Sequence, residues 1–260
     1  MPFLRALGKT GIDVSAIGLG TVKLGRNQQV KYPRAFQIPG DEHVADLLGF
    51  AHSSGINLID TAPAYGTSEA RVGTLLPGSR EDWVLCTKVG EEFVDGTARH
   101  DFSAAHTRMS VERSLKRLQT DFLDVVLIHS DGDDGRVLDE CGVLDELQRC
   151  KDEGLVRAIG LSSKTVEGGL RGIARGCDVL MVTHNPWYTD ESDVLARAAE
   201  AGVGVLLKKA FGSGHFGGGG SAPEAIRFNL AVPGVSSVMV GTLSPDHLRE
   251  NVDTAKSCSA

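Results

Sequence analysis

A chain of 260 residues, 41% hydrophobic and 23% charged, has the composition of an ordinary globule and the length for a sizeable core. Its net charge of -7 supplies no basic face for nucleic acid. No apolar run approaches the roughly 20 residues of a membrane span, and the N-terminal MPFLRALGKTGIDVSAIG lacks a secretory apolar segment, so no membrane partner and a cytoplasmic location are expected.

The opening FLRALGKTGIDVSAIG reads as two short extended runs joined at GKTG, a hairpin. Eight short apolar runs follow: AIGLG (16–20), INLID (56–60), WVLCT (83–87), DVVLI (124–128), VRAIGL (156–161), DVLMV (178–182), VGVLL (203–207) and SVMV (237–240). Runs that are apolar throughout indicate strands buried on both faces, and so a parallel sheet. Amphipathic helical stretches lie between them, among them 103–119, 144–153 and 191–201. Gly55, Gly154, Gly176 and Gly202 stand where helix C-terminal caps are expected. Eight strands alternating with helices over this length fit a (β/α)8 TIM barrel with an N-terminal β-hairpin, and a doubly wound open sheet is the competitor. With no linker and no low-complexity tail, one domain over 1–260 is expected, as a monomer. Cys86, Cys141, Cys150, Cys177 and Cys258 are odd in number, widely spread and without a CxxC, which suits a reducing compartment and no metal.

Polar residues mark the ends of three neighbouring strands. Asp60 closes the second, with Tyr65 five residues beyond; Lys88 follows the third; His129 follows the fourth. In a barrel the C-terminal strand ends form one ring, so these four would share one wall of its mouth. Each also has a structural reading: a turn cap, a half-buried aromatic, a surface ammonium, an interior imidazole. As a set they make chemical sense. A phenol with a pKa near 10 exchanges protons poorly at neutral pH. An adjacent ammonium, itself fixed by a carboxylate, would lower that pKa and make Tyr65 a general acid. His129 would donate a hydrogen bond to a substrate carbonyl and orient it.

The segments LGKTGIDVSAIGLGT, GINLIDTAPAYGTSE, CTKVG, SVERSLKRLQTDFLDVVLIH, GLVRAIGLSS and GVSSVMVGTLSPDHLRENV resemble the aldo-keto reductase family along almost the whole chain. The resemblance implies a catalytic tetrad at Asp60, Tyr65, Lys88 and His129. It also implies a (β/α)8 barrel that binds extended NADP(H) without a Rossmann fold. The implied activity is reduction of aldehydes or ketones, a small-molecule carbonyl, by hydride from NADPH.

The implied cofactor positions match unevenly. Gly20, Thr21 and Asp60 lie at the first two strand ends. Ser162 and Ser163 stand where the family has a Ser-Asn pair for the nicotinamide amide. Met181 replaces a Gln, leaving His184 and Asn185 nearby as substitutes. Lys208 replaces an aromatic that stacks on the nicotinamide, and its charge would reach a phosphate or ribose hydroxyl instead. Phe211, Gly212 and Ser213 would begin a glycine-rich strap whose amides cross the pyrophosphate, unless that stretch is only a surface loop. At the adenosine end Thr242, Glu250 and Asn251 match, whereas Gly241 and His247 replace a Lys and an Arg; NADP(H) is favoured and NAD(H) possible. Ser244-Pro245 reads as a helix N-cap followed by Pro.

Val22, Lys23 and Trp187 are expected to line the substrate pocket. The acidic loop 131–134 reads as solvated, or, if it faces the pocket, as a barrier to anions. Competing readings are an NAD(P)-dependent sugar or alcohol dehydrogenase, a nucleotide-binding regulatory subunit with little turnover, and an aldolase using Lys88 as a Schiff base, which its paired carboxylate would weaken.

Overall fold

The computed structural model describes residues 3–215 and 220–258. An antiparallel hairpin, β1 (Leu4–Ala6) and β2 (Asp13–Ser15), precedes the barrel. The barrel strands are β3 (Ile17–Gly20), β4 (Leu58–Asp60), β5 (Val84–Val89), β8 (Leu123–His129), β9 (Val156–Ser162), β10 (Val179–Thr183), β11 (Gly204–Lys208) and β12 (Val235–Val240). They pair in parallel in that order, and β12 closes on β3. The eight expected strands are thus the eight observed, as a TIM barrel and not an open sheet.

The helices are α1 (Val22–Gly25), α2 (Asp41–Ser53), α3 (Ser68–Leu75), α4 (Ala104–Leu118), α5 (Asp134–Asp139), α6 (Val143–Asp152), α7 (Val166–Ala174), α8 (Ser192–Ala201), α9 (Ala222–Leu230) and α10 (Pro245–Ser257). Gly55, Gly154, Gly176 and Gly202 all adopt positive φ at or just past helix ends, where a side chain would be strained. Ser244 caps α10 by accepting from the His247 amide.

Alternation along each strand divides the apolar residues into two cores. One lies between sheet and helices and includes Leu85, Val126, Ile159 and Leu207. The other fills the lumen with Leu58, Cys86, Val125, Leu127, Met181 and Leu206, and Leu7, Ile12 and Val14 of the hairpin close it off. The same alternation sets the mouth. The lumen position after Leu58 is Asp60, after Cys86 is Lys88, after Leu127 is His129, and after Leu206 is Lys208. Each polar group is the next inward residue once the apolar filling ends.

A second hairpin, β6 (Glu91–Val94) with β7 (Thr97–His100), follows β5 directly. Asp95 and Gly96, both at positive φ, make its turn. It brings an acidic residue to the mouth.

Candidate active site

Asp60, Lys88 and His129 converge on adjacent strands, and Tyr65 reaches the same place from the loop after β4. Lys88 Nζ lies 2.5 Å from Asp60 Oδ1 and 2.9 Å from the Thr61 carbonyl, both as donor. Lys88 is 1% exposed and Asp60 5%, so the ion pair is nearly sealed from water. Burial alone would depress the Lys88 ammonium, but Asp60 and Tyr65 more than offset this and its pKa is raised. That fixes Lys88 as a cation and removes it as a neutral amine for Schiff-base chemistry.

Tyr65 ends a turn that begins at Pro63, its amide bonded to the Ala62 carbonyl at 2.9 Å. Two glycines make this placement possible. A Cβ at Gly25 would stand 2.4 Å from the Tyr65 carbonyl oxygen, and one at Gly66, where φ is +65°, would stand 2.2 Å from the Gly25 oxygen. Lys88 Nζ is 4.8 Å from the centroid of the Tyr65 ring, and the His129 ring meets it edge-on at 6.2 Å. The Tyr65 pKa is raised, not lowered as the sequence suggested. Burial outweighs the pull of Lys88, and the Asp60 charge adds to the rise. The phenol is therefore held protonated, and an adjacent Lys88 ammonium would favour the negative charge left if that proton were given up.

Sequence reasoning missed Glu91. Its Oε2 lies 2.9 Å from His129 Nδ1, although the approach misses linear hydrogen-bond geometry. Burial pushes the Glu91 carboxyl up, yet His129, His100 and Arg26 hold it down at about 2. Arg26 sits 3.7 Å from Glu91, bonds the Ala64 carbonyl at 3.0 Å and lies over the Phe93 ring at 3.7 Å, which ties the second hairpin to the Tyr65 loop. Burial lowers the His129 pKa, and Lys88 and Lys208 add to this against Glu91. The signal available in the sequence was Asp95-Gly96, a hairpin turn that brings β7 back onto β6 and sets His100 opposite Glu91, just past the end of β5. Tyr32, on the chain between α1 and α2, was also missed. Its ring lies under Lys23 Nζ at 4.3 Å, and its hydroxyl would stand 3.3 Å from a Cβ at Gly241.

The opposite arc of the mouth carries the expected nucleotide positions. Ser162 pairs in register with His129. Its Oγ accepts from Lys208 Nζ at 2.8 Å, and the Ser163 carbonyl accepts from the same nitrogen at 2.5 Å. Ser163 Oγ is buried without a hydrogen-bond partner. That hydroxyl fits an amide such as the nicotinamide carboxamide, because a buried polar atom left alone is costly. Thr21 instead joins strand ends: its amide and its Oγ1 both donate to the Asp60 carbonyl, and its own carbonyl accepts from Ser68 Oγ. Gly20 lies beside Asp60 in register.

Two suggested substitutes for the missing glutamine are occupied elsewhere. His184 Nδ1 contacts Asn229 Oδ1 at 2.8 Å and its ring stacks on Phe228. Asn185 donates to the Lys209 carbonyl and accepts from the Trp187 amide. Met181 itself is lumen filling. The strap begins as a tight turn in which the amides of Gly212, Gly214 and His215 bond to Lys209, Phe211 and Gly212 carbonyls, so those amides point inward. Phe211 packs against the outer core, and Ser213 has φ +59°. Residues 216–219 of the glycine-rich stretch lie outside the described residues.

Val22 and Lys23 lie in α1, and the Lys23 ammonium is engaged by the Tyr32 ring. Trp187 packs against Gly220, whose Cβ would fall 2.0 Å from the indole. The acidic loop is not simply solvated. Asp131 pairs with Arg136 at 2.6 Å, Asp133 caps α5, and Asp134, 2% exposed, accepts from Lys164 and Thr165 at the start of α7. His247 and Glu250, expected at the adenosine end, line a cleft of about 670 Å3 between α9 and α10 together with Arg227, Arg249, Asp246 and Asp253. Thr242 Oγ1 accepts from the Ser244 amide, and Asn251 is buried.

The family model for the aldo/keto reductase family matches residues 16–224. The chain belongs to the aldo-keto reductase family. A structure of a Pseudomonas aeruginosa protein assigned to the aldo-keto reductases shares 49% identity with a TM-score of 0.90, over 99% of this chain and 95% of that one. The holo form of the aldo-keto reductase AKR11C1 from Bacillus halodurans shares 25% identity at a TM-score of 0.83, over 97% and 90%. L-galactose dehydrogenase of Arabidopsis thaliana is 29% identical over 96% of this chain and 86% of its own length. The family is one of oxidoreductases, and Asp60, Tyr65, Lys88 and His129, the tetrad expected from the sequence, stand together at the barrel mouth.

Proposed function

We propose that this aldo-keto reductase reduces an aldehyde or ketone to the alcohol with NADPH. The observation that carries the reading is the sealed Lys88–Asp60 pair set against the Tyr65 phenol, with His129 at its edge. A reduced nicotinamide supplies the hydride when bound. Tyr65 gives its proton to the carbonyl oxygen as that oxygen gains charge. Lys88 favours the phenolate left behind, and Asp60 holds Lys88 in place. His129, engaged by Glu91, orients the carbonyl. Ser163, Ser162 and Lys208 are proposed for the nicotinamide end. His247, Glu250, Asn251 and Thr242 are proposed for the adenosine end, where Arg227 supplies a cation in place of those lost at Gly241 and His247, while Arg249 is paired with Asp246 at 2.7 Å. That cation favours NADP(H) over NAD(H), against the Glu250 and Asp253 carboxylates of the same cleft.

Fluorescence titration with NADPH and NADH, followed by NADPH consumption over a panel of aldehydes, tests this. Tight NADPH binding with turnover lost in Tyr65→Phe supports the reading; turnover undiminished in that variant removes Tyr65 as the acid. The likeness to L-galactose dehydrogenase favours a second reading, oxidation of a sugar with NAD(P)+ by the same groups in reverse. Reduction of NAD(P)+ by aldoses, without aldehyde reduction, would select it.

A further inference from the structure

Two ammonium groups face the same mouth. Lys88 is matched by Asp60, but Lys208 donates only to neutral oxygens, Ser162 Oγ and the Ser163 carbonyl. A hydride donor must come within about 3–3.5 Å of the carbonyl carbon, whose oxygen is held at Tyr65 and His129. Ser162 is level with His129, and the unpartnered Ser163 hydroxyl lies one residue on. A nicotinamide ring meeting that requirement would lie between the tetrad and the β9–β11 arc, beside the Lys208 amine.

We propose that Lys208 makes this mouth selective for the redox state of its nucleotide, holding the uncharged dihydronicotinamide more tightly than the oxidised ring, which bears a positive charge. The inference rests on the nucleotide reading given above. Two like charges a few ångströms apart in a partly buried site repel strongly enough to weaken binding on the order of tenfold.

The selectivity is a function of pH. Burial pushes the Lys208 amine down to about 7, Lys209 and Lys88 push the same way, and Glu191 and Asp134 oppose them. Glu191, buried ahead of α8, is itself raised by burial, so it offsets Lys208 only in part. His129 on β8 feels the Lys208 charge in turn. Below pH 7 the amine is charged and the oxidised nucleotide is disfavoured; above it the charge and the preference fade. Binding the oxidised nucleotide expels the Lys208 proton.

Isothermal titration calorimetry with NADPH and NADP+ from about pH 5.5 to about 9 tests this without catalysis. The ratio of Kd for NADP+ to Kd for NADPH is expected to fall on the order of tenfold from the acid to the alkaline end. In Lys208→Met, which keeps an unbranched side chain of similar length, the ratio is expected to be low and to lose its step near pH 7, with any remaining change confined to the acid end where His129 titrates. Tight NADPH binding with a pH-independent ratio in the native protein, or an unchanged slope in Lys208→Met, overturns the inference alone. Failure of both nucleotides to bind overturns the nucleotide reading and this inference with it.

Discussion

Glu91 Oε2 lies 2.9 Å from Nδ1 of His129, and although the approach is not that of a linear hydrogen bond, the carboxylate charge at this distance favours a proton on the nitrogen that faces it. A carboxylate only accepts, so the neutral imidazole beside it keeps its proton on Nδ1 and presents Nε2 as a lone pair. Donation to a carbonyl then requires the doubly protonated ring. Because burial lowers the His129 pKa, that form is lost as pH rises through a value below the ordinary 6.5. Carbonyl reduction is therefore expected to fall across that step. In Glu91→Gln the amide can donate to Nδ1, the Nε2–H tautomer becomes available at neutral pH, and the step should vanish from the kcat/KM profile. A profile identical in both proteins would show that Glu91 does not set the tautomer.

Glu91 also gives the fold an acid-sensitive contact. Its folded pKa of about 2 lies below the ordinary 4.5. A depressed carboxyl contributes stability that is present above the unfolded pKa and lost as pH falls through the folded one. The difference in urea midpoint between the native protein and Glu91→Gln should shrink as pH falls from about 5 towards 2, and also narrow at higher pH once His129 has lost its charge. A gap that persists to the acid end would assign the loss to packing, not charge.

Tyr65→Phe and Lys88→Met should differ in kind. The first removes a proton donor and should cut turnover by about two to four orders of magnitude, with nucleotide affinity and melting temperature near native. The second leaves Asp60 charged and nearly sealed from water, at a cost of roughly 3–5 kcal/mol of stability. Thermal melts of the two variants would separate chemistry from scaffold; equal destabilisation would contradict the assignment of the pair.

At the α9–α10 cleft, His247→Arg is expected to tighten NADP(H) more than NAD(H), and Arg227→Ala to weaken NADP(H) selectively. Competitive titration of both nucleotides against each variant reads this directly. Equal effects on the two would place the adenosine end elsewhere.

Gly25→Ala forces a methyl to within 2.4 Å of the Tyr65 carbonyl and the Ser68 amide nitrogen. Backbone must move, so a loss of about 1–3 kcal/mol is expected together with reduced turnover. Full activity with native stability would show that this loop yields without displacing the phenol.

Much of this was legible from the sequence for one reason, strand parity. Uninterrupted apolar runs identified the strands, and the first polar residue at an inward position marked the mouth, so Asp60, Lys88 and His129 could be found by counting. Groups that act across sequence distance were not legible. Glu91 reaches His129 only because β5 and β8 are neighbours in the closed ring, and Arg227 enters the cleft proposed for adenosine only because α9 packs on α10. The direction of the Tyr65 shift was misread for a related cause. A list of neighbouring charges suggested a lowered pKa, whereas burial, which depends on the whole closed mouth, decides the sign. His184 and Asn185 were offered as ligands because a sequence does not show that Asn229 and the Lys209 carbonyl already engage them.

The closed ring of strands also divides the chain by task. Asp60, Tyr65, Lys88, Glu91 and His129 all fall before residue 130, on the arc from β4 to β8. Ser162, Ser163, Lys208 and the α9–α10 cleft all fall after residue 160. On the proposed roles, variation in which nucleotide is used could accumulate in the second half of the coding sequence while the residues proposed to handle the proton stay fixed, and recombination near the middle would exchange one property and keep the other. Lys208, in the half proposed for the nucleotide, would then travel with nucleotide preference rather than with the carbonyl chemistry.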